Sequence, residues 1–498
     1  EEGSSSRSLA GRVVSSGRSV VRMPTVPGSN GAEYLTPEPG GPARTPTNAH
    51  PVASSRTMSN DLPVCVVGAG LSGLTAIKQL VDRGIDVRAF ELGSDVGGNW
   101  RYDNDNGRSP AYGSLTIDTS KGRFAFADHP MPKSWPAYLH HTQVLEYFET
   151  YADTFDLRDH VTFRTSVTRV ERDGDAWSVT LRNLDTTEAT TERFRAVVVA
   201  NGHHWSPNVP DLDGPFDGTI LHAQHYRTPE EFIGKDVVVV GVGNTGVDLA
   251  AELTWHARSV ALSARSGAHV FPRYLFGRPL DAWSTAAAAK LPLTVQRSVY
   301  GAMLFAARGR QSSYGFPEPD APILSQHPTV NQDILRLVKD CHVVMKPGIS
   351  RATESELVFE DGSSLPCDVL IYATGYDISF PFLGDDVVEV RDNVVPLYKR
   401  VVPPDVPDLY FVGLIQPVGA LPPLAEQQAR WVAQLIDGAP LPTEPAMRAE
   451  IARDAAALDE RYQHRPRHTI QVDYWLYLDE MRAMCDANDT HLGEPVAS

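Results

Sequence analysis

The chain has 498 residues, a net charge of −17 and a pI of about 5.4, with 42% hydrophobic residues and a mean hydropathy of −0.24. That length suits two or three soluble globular domains, and the acidic balance argues against a nucleic-acid-binding surface. Cys65, Cys341, Cys367 and Cys485 stand far apart, with no C-x-x-C and no metal-ligand spacing. They suit a reducing cytosol and speak against a disulfide scaffold or a redox dithiol. No apolar stretch approaches the length of a membrane span.

Residues 1–58 are rich in Ser, Gly, Pro, Arg and Thr and show no hydrophobic period, which predicts a flexible extension. Ser4 to Arg22 is rich in Arg and Ser and poor in acids, as a transit peptide is. An upstream extension of a bacterial protein fits equally, and the excess of Arg over Lys, a mark of GC-rich genomes, favours it. Wrapping of this segment around the folded body stays open.

The folded body is expected from near Asn60, and its organising stretch follows at once. Val64-Cys-Val-Val reads as a buried strand and runs into Gly68-Ala-Gly70-Leu-Ser-Gly73. A helix with Leu74, Ile77, Leu80 and Val81 on one face follows, stopped by Gly84, and Asp86 to Glu91 is a second strand ending in a carboxylate. Strand, Gly-x-Gly-x-x-Gly, helix, strand and acid, in that order, make a dinucleotide-binding unit rather than a bare glycine turn. The first glycine makes the turn and the second admits a pyrophosphate to the backbone. The third lets the helix pack on the sheet with its N-terminus toward the phosphates. Glu91, 18 positions past Gly73 (91 − 73), is placed to accept hydrogen bonds from a ribose diol.

Next comes a loop, Gly97-Gly98-Asn99-Trp100-Arg101, whose paired glycines allow close backbone approach to a ligand. The segment Leu115 to Lys121 and a helix from Thr142 to Tyr151 follow, then strands over Val161–Val170, Trp177–Arg182 and Phe194–Ala200. Lys235 to Gly246 repeats the opening device with Gly241, Gly243, Asn244, Thr245 and Gly246, and Ser259 to Ala264 is its second strand. This strand ends in Arg265-Ser266, 19 positions past Gly246 (265 − 246), where the first unit has its acid. A carboxylate there repels a 2′-phosphate, whereas an arginine and a hydroxyl bind it. Residues 281–306 are apolar and alanine-rich but broken by Lys290, Pro292 and Arg297, which predicts helices of a lid or pocket wall rather than a membrane anchor. Asp368 to Tyr376 is a strand ending in a glycine turn, Leu409 to Ile415 a late strand, and Leu424 to Leu435 a helix on the first domain.

Two dinucleotide folds, the first acidic and the second basic, imply FAD in the first and NADPH in the second. Between them Phe216-Asp-Gly218-Thr-Ile-Leu-His222-Ala-Gln-His-Tyr226 matches F-x-G-x-x-x-H-x-x-x-[F/Y]. In this the chain resembles the flavin-containing monooxygenases, a branch of the class B flavoprotein monooxygenases. The likeness runs from Leu62 to about Leu478 and includes Gly97-Gly98-x-Trp100, Ala373-Thr374-Gly375-Tyr376 and Ile470 to Tyr477.

The resemblance implies an α/β fold with two Rossmann-like domains, the FAD domain discontinuous and the NADP domain inserted into it. The expected divisions are 1–58 (extension), 59–208 (first part of the FAD domain), 209–335 (NADPH domain with helical lid) and 336–498 (second part of the FAD domain and C-terminal helices). It implies cofactor contacts from Gly98, Asn99, Trp100, Gln143, Thr374, Gly375, Tyr376 and Gln427. His222 and Tyr226 would stand at the domain junction in structural and cofactor-coupling roles.

The activity implied is that of an NADPH-dependent flavin monooxygenase of the N,N-dimethylaniline monooxygenase type. It would form a C4a-(hydro)peroxyflavin with O2 and oxygenate sulfur or nitrogen of small organic substrates, with NADP⁺ shielding the intermediate from water. A cytoplasmic enzyme with no membrane anchor and no nucleic-acid partner is expected, and a homodimer is compatible with it. Baeyer–Villiger relatives carry Trp at the last signature position, then Pro or Asp; this chain has Tyr226-Arg. Against that, the family pattern has an asparagine where this chain has Asp118, before Thr-Ser-Lys121. Asparagine donates hydrogen bonds and an ionised aspartate only accepts, so Asp118 is the candidate catalytic residue and ketone oxidation stays open. From another class, an FAD/NAD(P)H electron-transfer reductase pairs the same two folds, although the missing C-x-x-C disfavours a disulfide reductase. There is no convincing Ser-His-Asp triad. His140-His141 and His203-His204 read as flavin-domain or surface residues.

Overall fold

The computed structural model of the chain describes residues 61–462 and 468–492. The expected extension at residues 1–58 lies outside them. Ten strands build the two central sheets. Those before the signature are β1 (Val64–Val67), β2 (Val87–Phe90), β3 (Val161–Thr162) and β4 (Ala196–Val199). Those after its start are β5 (Thr219–His222), β6 (Asp236–Val240), β7 (Ser259–Ser263), β8 (Val344–Lys346), β9 (Val369–Tyr372) and β10 (Leu409–Phe411). The longer helices are α1 (Leu71–Asp82), α2 (His141–Thr154), α3 (Asn244–Leu253), α4 (Leu293–Arg308), α5 (Pro422–Ile436), α6 (Glu444–Arg461) and α7 (Tyr474–Leu492).

Both sheets are parallel throughout. The first runs β10-β4-β1-β2-β3 and the second β5-β9-β6-β7-β8. Parallel sheets are covered on both faces, so their strands read as unbroken apolar runs, and the period of two sorts each run between two cores. Val64 and Val66 of β1 face α1 and α5, while Cys65 and Val67 face Trp177, Phe194 and Phe411. In β6, Val237 and Val239 face α3, while Val238 faces Leu357 and Phe359. The covering layer opposite the helices is in each case a three-stranded antiparallel sheet. Thr165–Asp173, Ala176–Asn183 and Ala189–Phe194 lie between β3 and β4; Ile349–Ala352, Glu356–Phe359 and Ser364–Pro366 lie between β8 and β9.

β10 completes the first sheet after the second sheet has been made, so the second unit is inserted into the first. The boundary expected at residue 335 needs correction. β8 pairs with β7, and β9 pairs with β6 and β5, so residues through Tyr372 belong to the second sheet. Hydrophobic runs mark strands but not the sheet they return to, so only the pairing places the crossover strand. α5 packs on α1 and α7. Residues 286–289 and 293–308 are helical as expected; Leu304 of α4 is buried with Phe271, Ile323 and Val330, while Val295, Val299 and Phe305 are exposed. Among the described residues no helix is long and apolar enough to cross a membrane.

Candidate functional site

A cavity of about 1660 Å³ lies where the carboxyl ends of the two sheets meet. It exceeds the few hundred to about 1,000 Å³ typical of a single small-ligand pocket. Each glycine loop opens on it. Gly68 has φ +102 and an added Cβ would stand 2.8 Å from Ala200 O; at Gly73 a Cβ would meet Gly68 O at 1.9 Å. The second unit repeats this: Gly241 has φ +114 with Ala373 O at 2.5 Å, and a Cβ at Gly246 would meet Gly241 O at 2.0 Å. In both units the third glycine brings the helix down onto the turn, and the helix N-terminus then lines the cavity through Gly70-Leu71-Ser72 and Gly243-Asn244-Thr245. Asn244 is held there by accepting from Val330 N at 2.8 Å.

The residues ending the second strands differ in their bonding. Glu91 is buried, Oε2 accepting from Ala69 N and Oε1 from Gly93 N, both at 2.8 Å. A carboxylate oxygen has more than one acceptor site, so Glu91 keeps capacity for ribose hydroxyls while its orientation is fixed. Arg265 and Ser266 line the same cavity, and Arg265 is exposed to it with no ion pair among the described residues. The Gly97-Gly98 turn has φ +112 and +54, a Cβ added at Gly98 would stand 3.1 Å from Gly70 Cα, and the turn carries Asn99 and Trp100 onto the wall. Trp100 is packed edge-on against Phe124.

Thr374, Gly375 and Tyr376 follow β9 and line the opposite side. Gly375 O accepts from His222 Nε2 at 3.1 Å, and His222 Nδ1 accepts from Gln224 N at 3.1 Å. With one ring nitrogen donating and the other accepting the imidazole is neutral, and burial pulls it down to about 4. The rest of the signature lies away from the cavity. A Cβ on Gly218 would strike Phe216 Cζ at 2.4 Å, and Tyr226, fully buried, donates to Glu252 Oε2 at 2.7 Å and stacks on Phe232. These residues fix the corner that leads from β5 into the second unit.

Asp118 stands on the cavity wall with Thr116, Ile117 and Thr119. Arg273 Nη2 lies 3.6 Å from Asp118 Oδ1 and 3.9 Å from Asp248 Oδ2. Asp248 accepts from Tyr112 OH at 3.0 Å and from Asn331 Nδ2 at 2.6 Å, whereas Asp118 Oδ1 is buried with no hydrogen-bond partner. Burial, then the charge of Asp248, pushes the Asp118 carboxyl up, and Arg273 opposes them.

Comparison with known proteins decides what this arrangement is. The profile of the family described as flavin-binding monooxygenase-like matches residues 62–492, nearly the whole described chain. The chain belongs to that family. As a flavin monooxygenase it uses FAD and NADPH, and the two glycine loops, Glu91 and Arg265 fit that pair: turns that no side chain could enter, an acid for a ribose, a base for a 2′-phosphate. Flavin-containing monooxygenase 5 of Rattus norvegicus is 38% identical over 443 residues, covering 85% of this chain and 82% of that one. S-allyl-L-cysteine S-oxygenase from Allium sativum has a TM-score of 0.63 at 25% identity, covering 88% of this chain and 90% of that one. Cyclohexanone monooxygenase from Rhodococcus sp. Phi1, bound to NADP⁺, shares the fold with a TM-score of 0.63 at 20% identity, covering 87% and 98%.

Two residues and one segment expected at the monooxygenase's site lie off this cavity. Gln143 does not line the cavity; its Oε1 accepts from His140 N at 3.2 Å in a capping box at the start of α2. Gln427 is buried within α5, where its carbonyl accepts from Cys485 Sγ; it too is off the cavity. None of residues 281–306 lines this cavity. They instead clasp the 120s segment, Ser284 O accepting from Arg123 Nη2 and Asp281 Oδ2 from Ser120 N.

Read from sequence as flavin-domain or surface residues, His203 and His204 belong to the first unit and line the monooxygenase's cavity, and burial holds His203 below the ordinary range. Their position directly after the crossover strand that ends in Asn201-Gly202 was the available signal. Arg108 and Trp205, stacked with 4.3 Å between guanidinium and ring, complete that side.

Proposed function

We propose that the enzyme oxygenates soft heteroatoms, sulfur or nitrogen, of small organic substrates. The reading rests on the convergence of two nucleotide units of opposite end-of-strand chemistry on one cavity whose wall carries Asp118. Bound FAD and NADPH supply the electrons and the activation of O2. The chain's residues bind, orient and exclude water. Glu91 holds the adenosine ribose of FAD, and Arg265 with Ser266 holds the 2′-phosphate of NADPH. Gly70 and Gly243 leave the two pyrophosphates access to helix N-termini. His203, His204 and His222, all neutral near pH 7, add no charge to the cavity.

The preference for heteroatoms follows from charge. A sulfide or tertiary amine attacks with its own lone pair. Ketone oxidation needs a deprotonated oxygen nucleophile, and with two carboxyl groups set against one arginine the wall offers no net positive charge to hold one. The likeness to S-allyl-L-cysteine S-oxygenase, an oxygenase of sulfur, supports the same choice. Four unpaired cysteines, three of them buried, support work in a reducing compartment, the cytoplasm.

Ketone oxidation is the second reading, and Arg273 favours it: it is the cation of this cluster, 3.6 Å from Asp118. The test is aerobic NADPH oxidation by the purified protein with a sulfide, a tertiary amine and a ketone, followed by product analysis. Sulfoxide or N-oxide as main product is expected. Ester or lactone as main product would transfer the assignment to ketone oxidation, and NADPH oxidation with no oxygenated product would make the protein a reductase.

A further inference from the structure

Two carboxylates and one guanidinium meet at the seam between the 116–119 segment and the second nucleotide unit. Asp118 comes from the first, Asp248 from α3, and Arg273 from the segment that follows β7. With both acids ionised the cluster carries a net charge of −1, and its three side chains are partly buried, 15–26% exposed. The separations of 3.6 and 3.9 Å are too long for ordinary N–H···O hydrogen bonds, so Arg273 screens both acids without bonding fully to either.

The two acids are not equivalent. Asp248 has a donor for each oxygen, Tyr112 OH on Oδ2 and Asn331 Nδ2 on Oδ1. Donors stabilise the charged form. Asp118 Oδ1 is buried with none. The other ionisable groups nearby do not reverse this: Asp281 Oδ2 is engaged by Ser120 N, and the Tyr138 hydroxyl donates to Arg273 O.

We propose that Asp118 carries the proton of this cluster and presents a neutral carboxylic acid to the cavity, with Asp248 as the positioning residue that keeps the proton there against the pull of Arg273. A neutral acid has an O–H donor that a carboxylate lacks. Asp118 therefore supplies what an asparagine supplies at this place in the family pattern, but only while it stays protonated. The wall thus has a hydrogen-bond donor that switches off as pH rises, since burial and Asp248 move the carboxyl up to about 8. This deepens the proposed function and rests on it only for the consequence; the protonation itself is a property of the resting protein.

The experiment is infrared pH-difference spectroscopy of the oxidised holoenzyme, without substrate or turnover, from about pH 5 to about pH 9. Wild type should show a carboxylic-acid carbonyl band that disappears toward high pH. Asp118→Asn should lose the component that disappears near pH 8, while Glu426→Gln, which removes another buried acid pushed up to about 7, should keep it. Asp248→Asn removes the competing charge and should move the transition down by about one pH unit or more. Unfolding gives a second readout. The folded chain holds a proton that the unfolded chain loses near pH 4, so this group makes stability fall as pH rises from about 4 to about 8. Asp118→Asn should be missing that part of the slope. A component near pH 8 that survives in Asp118→Asn, or that is unmoved in Asp248→Asn, overturns the proposal. A band that behaves as expected in a protein that oxygenates nothing would overturn the functional reading and leave this one standing.

Discussion

The two nucleotide units of this monooxygenase are built on one plan and differ at its edges. Each has a central strand flanked by a crossover strand and by the second strand of the motif, a helix on one face and a three-stranded antiparallel sheet on the other. In each the first glycine lies against the carbonyl of an alanine, Ala200 or Ala373, and the third against the carbonyl of the first. The differences lie where a ligand would be. A Cβ on Gly70 would stand 3.5 Å from Gly98 Cα, because the 97–100 loop folds over the first helix N-terminus; a Cβ on Gly243 would have nothing within 4 Å. Glu91 is tied by two backbone donors, whereas Arg265 is untied. A covered loop with a fixed acid suits a cofactor that stays; an open loop with an unpaired base suits one that comes and goes.

The largest effects should come from the third glycines, where the plan is the same in both units. Gly73→Val would drive a side chain into the carbonyl of Gly68, and Gly246→Val into that of Gly241. Overpacking at a close-packed point costs about 1–3 kcal/mol or more, and here the backbone turn itself must move. Gly73→Val is expected to purify without flavin. Gly246→Val should keep its flavin and lose NADP⁺ binding. Flavin absorbance relative to protein and a titration with NADP⁺ separate the outcomes. A colourless Gly246→Val protein would mean that the units do not bind independently.

Arg265→Ala sharpens the same comparison at a smaller scale. An arginine–phosphate hydrogen bond is worth about 1.5–3 kcal/mol, so the KM for NADPH should rise about tenfold or more. The KM for NADH, which has no 2′-phosphate, should hardly change. Equal losses with both cofactors would make Arg265 a structural residue and leave the second unit without its distinguishing charge.

Much of this was legible in the sequence because its causes are local. Glycine spacing, an apolar strand on either side and the residue at a strand's end are read within about 30 residues, and Gly68 to Glu91 and Gly241 to Ser266 lie as expected. What was missed depends on where the chain returns. β9 looks like any buried strand until its pairing with β6 is known. Gln143 and Gln427 are polar residues on helices near the right segments; whether such a side chain turns to a cavity or caps its own helix is settled by packing. Arg273 and Asp248 gave no sign of their relation to Asp118, from which they are separated by more than a hundred residues. Resemblance located Asp118 but did not supply its neighbours.

The smallest effect on catalysis is expected from the best-defined sequence signature. Tyr226 ends the motif, yet its ring is buried against Phe232 and Tyr112, and its hydroxyl serves Glu252 rather than the cavity. The segment belongs to β5 and the turn after it, which take the edge position in the second sheet that β10 takes in the first. It is thus where the two units differ in chain path. Tyr226→Phe keeps the ring and removes one hydrogen bond to a charged partner, worth about 1.5–3 kcal/mol. The urea midpoint should fall by a corresponding amount, while kcat and the KM for NADPH stay within about twofold. A large loss of kcat with an unchanged midpoint would place Tyr226 in the coupling of the two cofactors instead of in the corner that holds them apart.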